Sequence, residues 1–283
     1  MKDLLTALLF VLGTVSTFAA SFEDRFAVVL VDSDTEAKLG AFPLDRSIYT
    51  KALDRAADLK AKAVVFKFFF DQPRTASSDA ALTKAMTNLP VVLQACFDNS
   101  EAKPNPLPAR FFLSGIQPGT SLAGRSGWLP LPALAEKAHD LGFVDFDPQT
   151  PDRTPLIEGD QGKAVKNLAL VCLELATGQK AVVEPGKRVR FGSASLPLDE
   201  RNFTQLGSFS GARLDVVPFH SFLSGETPRS AIEGKIVIFG YDGSKLHTIE
   251  TDAGPVKAHR YFILGLKSLH DRLERRHNEA LSG

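Results

Sequence analysis

The sequence predicts an α/β fold: a mainly parallel sheet with helices on both faces, plus a long Pro/Gly-rich connection and a small β-hairpin region. Two observations carry this. First, three apolar runs, Phe26–Asp34, Lys62–Phe70 and Pro90–Phe97, alternate with two segments of helical spacing, which gives β-α-β-α-β. Second, both faces of those runs are largely apolar. Strands covered by helices on both sides read this way, and half-solvated antiparallel strands do not. The crossovers between such strands are right-handed.

The elements follow in order. Phe26–Asp34 is a buried strand ending in acids. Pro43 stops any earlier helix, and Asp45–Ala61 then carries helical spacing at Ile48, Leu53, Ala56 and Leu59. Lys62–Phe70 is the second strand. A helix over Ser77–Leu89 follows, with Ser77 or Ser78 as its N-cap, and Pro90–Phe97 is the third strand. Asp98–Pro132 holds Pro104, Pro106, Pro108, Pro118 and Pro130 and reads as a long connection with one short strand at Arg110–Ser114. A helix at Pro132–Leu141, a strand at Gly142–Asp147 and a helix at Lys166–Ala176 come next. Ala181–Asp199 reads as two short strands around a Pro-Gly turn. Ile232–Gly243 is a late buried strand that ends in a glycine-bearing loop. From Val256 to Ala280 the chain is helical, with an apolar stripe at Leu264, Leu266, Leu269 and Leu273.

The first residues differ from the rest. Lys2 precedes an apolar run from Leu4 to Val15, and Thr17 and Ala19 suit the positions before a signal-peptidase cut. Residues 1–19 are therefore expected to be a cleaved leader, with residues 20–283 as one domain. The alternative is a retained N-terminal anchor. No later stretch is apolar enough to cross a bilayer. The mature chain is expected to be periplasmic or secreted, and not an integral membrane protein once the leader is cut.

Composition excludes some functions. Lys plus Arg equals Asp plus Glu at 33 each, so no basic field is available for nucleic acid. The two cysteines, Cys96 and Cys172, have no CxxC spacing, so a thiolate metal site is not expected; whether they bond to each other is left open. The six histidines show no HxH or HExxH pattern. No GxSxG elbow is present, and Gly240–Lys245 lacks P-loop spacing. Neither a metal nor a cofactor is expected.

Acids at predicted strand ends are the first candidates for a site, because ligands of parallel sheets bind at the carboxyl ends of the strands. They are Asp32, Asp34, Asp71, Asp145, Asp147 and Asp242. Each also suits the bland role of capping a helix or a turn. His259, at the start of the last helix, is the histidine best placed for a pocket.

The order of segments resembles the second type of CHASE domain, the extracellular sensory module of bacterial membrane-bound adenylate cyclases and sensor kinases. The resemblance rests on "VVLVDSDTEAKLGAFPLDRSIYTKALDRAADLKAKAVVFKFFFDQP", "SSDAALTKAM" with "PVVLQACF", "GFVDFDPQTPDRTPL", "SFLSGETPRSAIEGKIVIFG" and His259, and spans most of Phe26–Leu269. It implies a non-enzymatic sensory domain that binds a small ligand of unknown identity and acts through a membrane-bound signalling partner. It brings no catalytic residue. Three departures stand out: Lys67 replaces an acid usual in the family's second strand, "ETDAGPVKAH" replaces its usual late loop, and the chain stops at Gly283 without the usual membrane helices and output domain. A free-standing module is therefore expected. The alternatives are an exported hydrolase using Asp32, Asp34 and Asp242 on a metal or water, and a structural protein that has lost its ligand.

Lys67 sits in the later half of an apolar strand, where an isolated charge cannot stay. In a parallel sheet the strands Phe26–Asp34 and Lys62–Phe70 are expected to be close neighbours with their carboxyl ends pointing the same way, so a pair with Asp32 is the expected arrangement, with Asp34 or Asp71 next. Snorkelling to solvent is the alternative. The candidate ligand-binding set is Asp32, Asp34, Lys67, Asp71, Asp242 and His259.

Overall fold

The computed structural model describes residues 20–98 and 103–282. The expected leader, residues 1–19, lies outside the described residues, as do 99–102 within the long connection.

Six strands run parallel through the centre: β1 (Phe26–Val31), β2 (Ala63–Phe66), β3 (Val91–Asp98), β4 (Asp140–Phe143), β5 (Val216–Pro218) and β6 (Ile236–Tyr241). Their order is β5-β1-β6-β2-β3-β4, and Ser126–Trp128 pairs antiparallel with the end of β3. Seven helices matter for the site: α1 (Ser33–Leu39), α2 (Arg46–Asp58), α3 (Ala76–Ala85), α4 (Pro132–Lys137), α5 (Leu168–Thr177), α6 (Phe219–Ser224) and α7 (Ala258–Ser282).

Alternation along the strands sorts the core into two layers. Val29, Val64, Phe66, Leu93 and Phe239 pack against Tyr49, Leu53, Leu82, Leu134 and Phe222 of α2, α3, α4 and α6. On the opposite face Val28, Val65, Val92 and Ile238 pack against Leu170 and Leu173 of α5 and Ile263 and Leu269 of α7. Each strand therefore buries both faces, which is why the runs lack polar alternation. Phe66, Phe68 and Phe70 all belong to the first layer, and their rings meet Tyr49 at 5.2–5.9 Å between centroids.

The sheet order corrects one expectation. β1 and β2 are not neighbours, because the last strand in the sequence, β6, lies between them in register Val29–Phe239–Phe66. The β1–β2 crossover skips one position, and β6 fills it with all six residues buried. Periodicity reports that a strand is buried, but carries nothing about its place in the order.

Several boundaries also move. Thr75, rather than Ser77 or Ser78, caps α3, its hydroxyl accepting from Ser78 N at 3.2 Å. Arg110–Ser114 is not a strand: Ala109–Phe111 is a 3₁₀ turn, followed by a single bridge from Phe112 to Val165. Ala181–Asp199 holds three antiparallel strands rather than two, Val182–Glu184, Arg188–Phe191 and Ala194–Pro197. α4 ends at Lys137, and β4 begins at Asp140. Gly142 is inside β4 because α5 crosses there: a Cβ would lie 2.3 Å from the Leu168 Cα. An unforeseen hairpin, Ile157–Asp160 with Lys163–Lys166, turns through Gln161 and Gly162, both with positive φ. Cys96 and Cys172 are both free thiols.

Candidate ligand-binding site

β2, β3 and β4 end side by side, and the starts of α5 and α7 close over them. Together they enclose a cavity of about 500 Å³ whose walls are mostly aromatic and aliphatic. A second cavity of about 410 Å³ adjoins it on the α2 side. Lys67, Phe69, Trp128, Leu246 and His259 line both.

Lys67 follows β2, and its backbone N–H still reaches Phe239 O at 2.8 Å. Alternation sends its side chain to the same face as Val65, beneath α7. There it is buried, with 6% of its surface exposed. Its ammonium donates to Gln94 Oε1 at 3.1 Å and lies 5.0 Å from the centroid of the Phe262 ring. No carboxylate of the described residues comes within ion-pair distance of it. Burial accordingly pulls its pKa down from 10.5 to about 8.

The expected Lys67–Asp32 pair is thus replaced by an amide contact. With β6 inserted, the ends of β1 and β2 stand two strand spacings apart, roughly 10 Å. Asp32 instead caps α1, accepting from Thr35 N at 2.8 Å. Partial burial opposes its ionisation, but the hydrogen bonds from Thr35 outweigh this and hold the carboxyl below its ordinary value. Asp34 is exposed in the first turn of α1. Asp242 is taken up by Arg260, at 2.9 Å from Nε and 2.7 Å from Nη2, with Lys257 at 3.6 Å. Asp71 lines the second cavity and accepts from Gln72 Nε2 at 2.8 Å. Of the sequence candidates, Lys67 and His259 line both cavities, and Asp71 joins them in the second. The three acids of the hydrolase alternative do not converge.

His259 opens α7 and is buried. Its Nδ1 accepts from Tyr241 N at 2.9 Å, so the neutral ring carries its proton on Nε2. Burial, helped by the nearby Lys67 charge, holds its pKa well below the ordinary value.

Two further groups emerge from the structure. Asp145 continues β4, where Val144 N donates to Ala95 O, and its carboxylate accepts from Phe97 N at 3.0 and 3.1 Å. Glu158, wholly buried in the unforeseen hairpin, accepts from Asn167 Nδ2 at 2.8 Å. Glu158 lies close enough to Asp145 to feel its charge, and its Oε2 is buried without a hydrogen-bond partner among the described residues. Burial raises Asp145 to about 6, and burial with repulsion from Asp145 raises Glu158 well above its ordinary value. Asp145 was legible as a strand-end acid. The Gln161–Gly162 turn was the available signal for the Glu158 strand, but nothing local in sequence pairs residues 145 and 158.

This is the arrangement of an α/β domain with a preformed, mostly apolar pocket at the carboxyl ends of its strands, where ligands of this fold class bind. The chain belongs to the CHASE2 domain family, whose model matches residues 4–253. CHASE2 domains are extracellular sensory domains. No curated protein matches the chain, and no solved structure does. Among the described residues, no helix is long and apolar enough to cross a membrane.

Proposed function

We propose that the chain is a non-catalytic sensory domain that binds a small, mostly apolar molecule in the larger cavity. Occupancy is passed to a membrane-bound signalling partner. The observation that carries this reading is the cavity itself: about 500 Å³ at the strand ends, with an ammonium on its wall that forms no ion pair among the described residues. Family membership supports the sensory role. α7 is the natural output element. Ala258, His259, Phe262 and Leu266 face the cavity, and the helix then runs on for 25 residues in all, about 37 Å. The apolar run Leu4–Val15 supports export, with residues 1–19 removed and residues 20–283 acting outside the cytoplasm as one domain.

One preparation tests this. Protein recovered from the periplasm or medium should begin near Ala20 on N-terminal sequencing. It should bind the neutral fluorophore N-phenyl-1-naphthylamine saturably at one site. Ala169→Phe fills the cavity from the start of α5, and should abolish binding while the circular dichroism spectrum is kept. An intact Met1 on membrane-bound protein contradicts export. Equal binding by the variant, or none by either protein, contradicts the cavity as the ligand site.

A further inference from the structure

Resting on that reading, we infer that the ligand is an apolar monocarboxylic acid, held as its anion with the carboxylate on Lys67 and the hydrocarbon body among the rings of the larger cavity. An ammonium has three N–H donors, and Lys67 gives one to a neutral amide, Gln94 Oε1. No carboxylate of the described residues is paired with its remaining donors, and the aspartates that line the two cavities, Asp145 and Asp71, are bonded elsewhere. The other buried lysine makes the contrast. Lys166 is bonded to Asp140 and to Glu174, at 3.0 Å from the latter, and needs nothing from outside. A second donor stands on the same wall. Nδ1 of His259 is occupied by Tyr241 N, so Nε2–H is the free donor of the ring, and no partner for it appears among the described residues. Lys67 from β2 and His259 from α7 line both cavities, so a carboxylate at their junction meets donors from two elements.

The acid in the larger cavity does not compete for this role. Asp145 accepts from Phe97 N through both oxygens, and Asp71 of the second cavity accepts from Gln72 Nε2, so both are engaged within the protein. That engagement also argues against an amine ligand, which would need a free carboxylate. Phe97, Phe146, Phe262 and Leu266 supply walls for a hydrocarbon chain or ring.

Trp128 is the one tryptophan of the chain and lines both cavities, so its fluorescence reports on the site. The full mature chain is titrated with octanoate, 1-octanol and octylamine. Octanoate should bind at least tenfold tighter than either analogue. Lys67→Met should bring octanoate to the level of octanol. Octanol or octylamine binding as tightly as octanoate overturns the inference. So does a preference for octanoate that survives Lys67→Met, or a failure of octanoate to bind protein that still takes N-phenyl-1-naphthylamine. In each of those cases the cavity remains a ligand site. Loss of binding for all four probes removes the cavity reading and this inference together.

Discussion

Replacing Lys67 with methionine should stabilise the unliganded protein at pH 7, by on the order of 2 kcal/mol. Methionine matches the lysine stem in length and sheds the desolvated charge. The wild-type ammonium is held at about 8 by burial, against 10.5 when exposed. Below pH 8 both folded and unfolded chains carry the proton, and the folded one bears the full cost of burying it. Between pH 8 and 10.5 the folded chain releases the proton while the unfolded chain keeps it. The slope of stability with pH is then positive. Wild-type stability therefore rises across this window, whereas the variant has no such rise. The gain is offset by the lost bond to Gln94, worth about 1 kcal/mol. Urea midpoints at pH 7 and pH 10.5 check this: the variant should lead clearly at the lower pH and by much less at the higher. A variant less stable than wild type at pH 7 shows instead that Lys67 is paired with an acid.

Glu158→Gln should also stabilise, by on the order of 2 kcal/mol at pH 7.5. Its amide oxygen can keep the bond from Asn167 Nδ2, and its Nε2 puts a donor rather than a second carboxylate beside Asp145. In the wild type both carboxyl pKa values are raised on folding, Asp145 to about 6 and Glu158 further. Acids raised in this way favour the folded state at low pH. That advantage is lost as pH climbs from about 4 through the folded values, because the folded chain must hold protons the unfolded chain has released. The gain should thus be present at pH 7.5 and absent at pH 4.5. His259, a buried neutral base, destabilises the fold as pH falls below 6.5, but it does so in both proteins and cancels from the difference. Thermal melts at the two pH values decide the matter. Equal shifts at both would mean that folding does not raise the Glu158 carboxyl above its ordinary value.

Much of the fold was legible because its physics is local. Short, β-branched, two-sided apolar runs such as Val28–Val31 and Val64–Phe66 read as strands buried on both faces, and they marked the parallel sheet. The helical spacing of Arg46–Asp58 and of the tail from Ala258 was equally plain. What escaped depends on long-range placement. β6 lies between β1 and β2 although it is separated from both by more than a hundred residues, and that one insertion carries Lys67 away from Asp32. Short antiparallel pieces, such as the Ile157–Asp160 strand, are too brief for periodicity to mark them. At the site, Lys67 and His259 could be singled out because a lysine in an apolar run and a histidine at a helix start each break a local pattern. Asp32, Asp34 and Asp242 showed no such break. Two of them do the ordinary work of acids near a strand end, Asp32 capping α1 and Asp242 pairing with Arg260.

Lys67 is a buried ammonium on a ligand cavity, with no carboxylate of the described residues paired to it. Nitrogen-15 NMR titration of its side chain in the full mature chain measures this directly. The account predicts a midpoint near 8 in the free protein and an upward shift once octanoate is bound, because an anion beside the ammonium favours its charged form. A midpoint near 10.5 that octanoate does not move would contradict it.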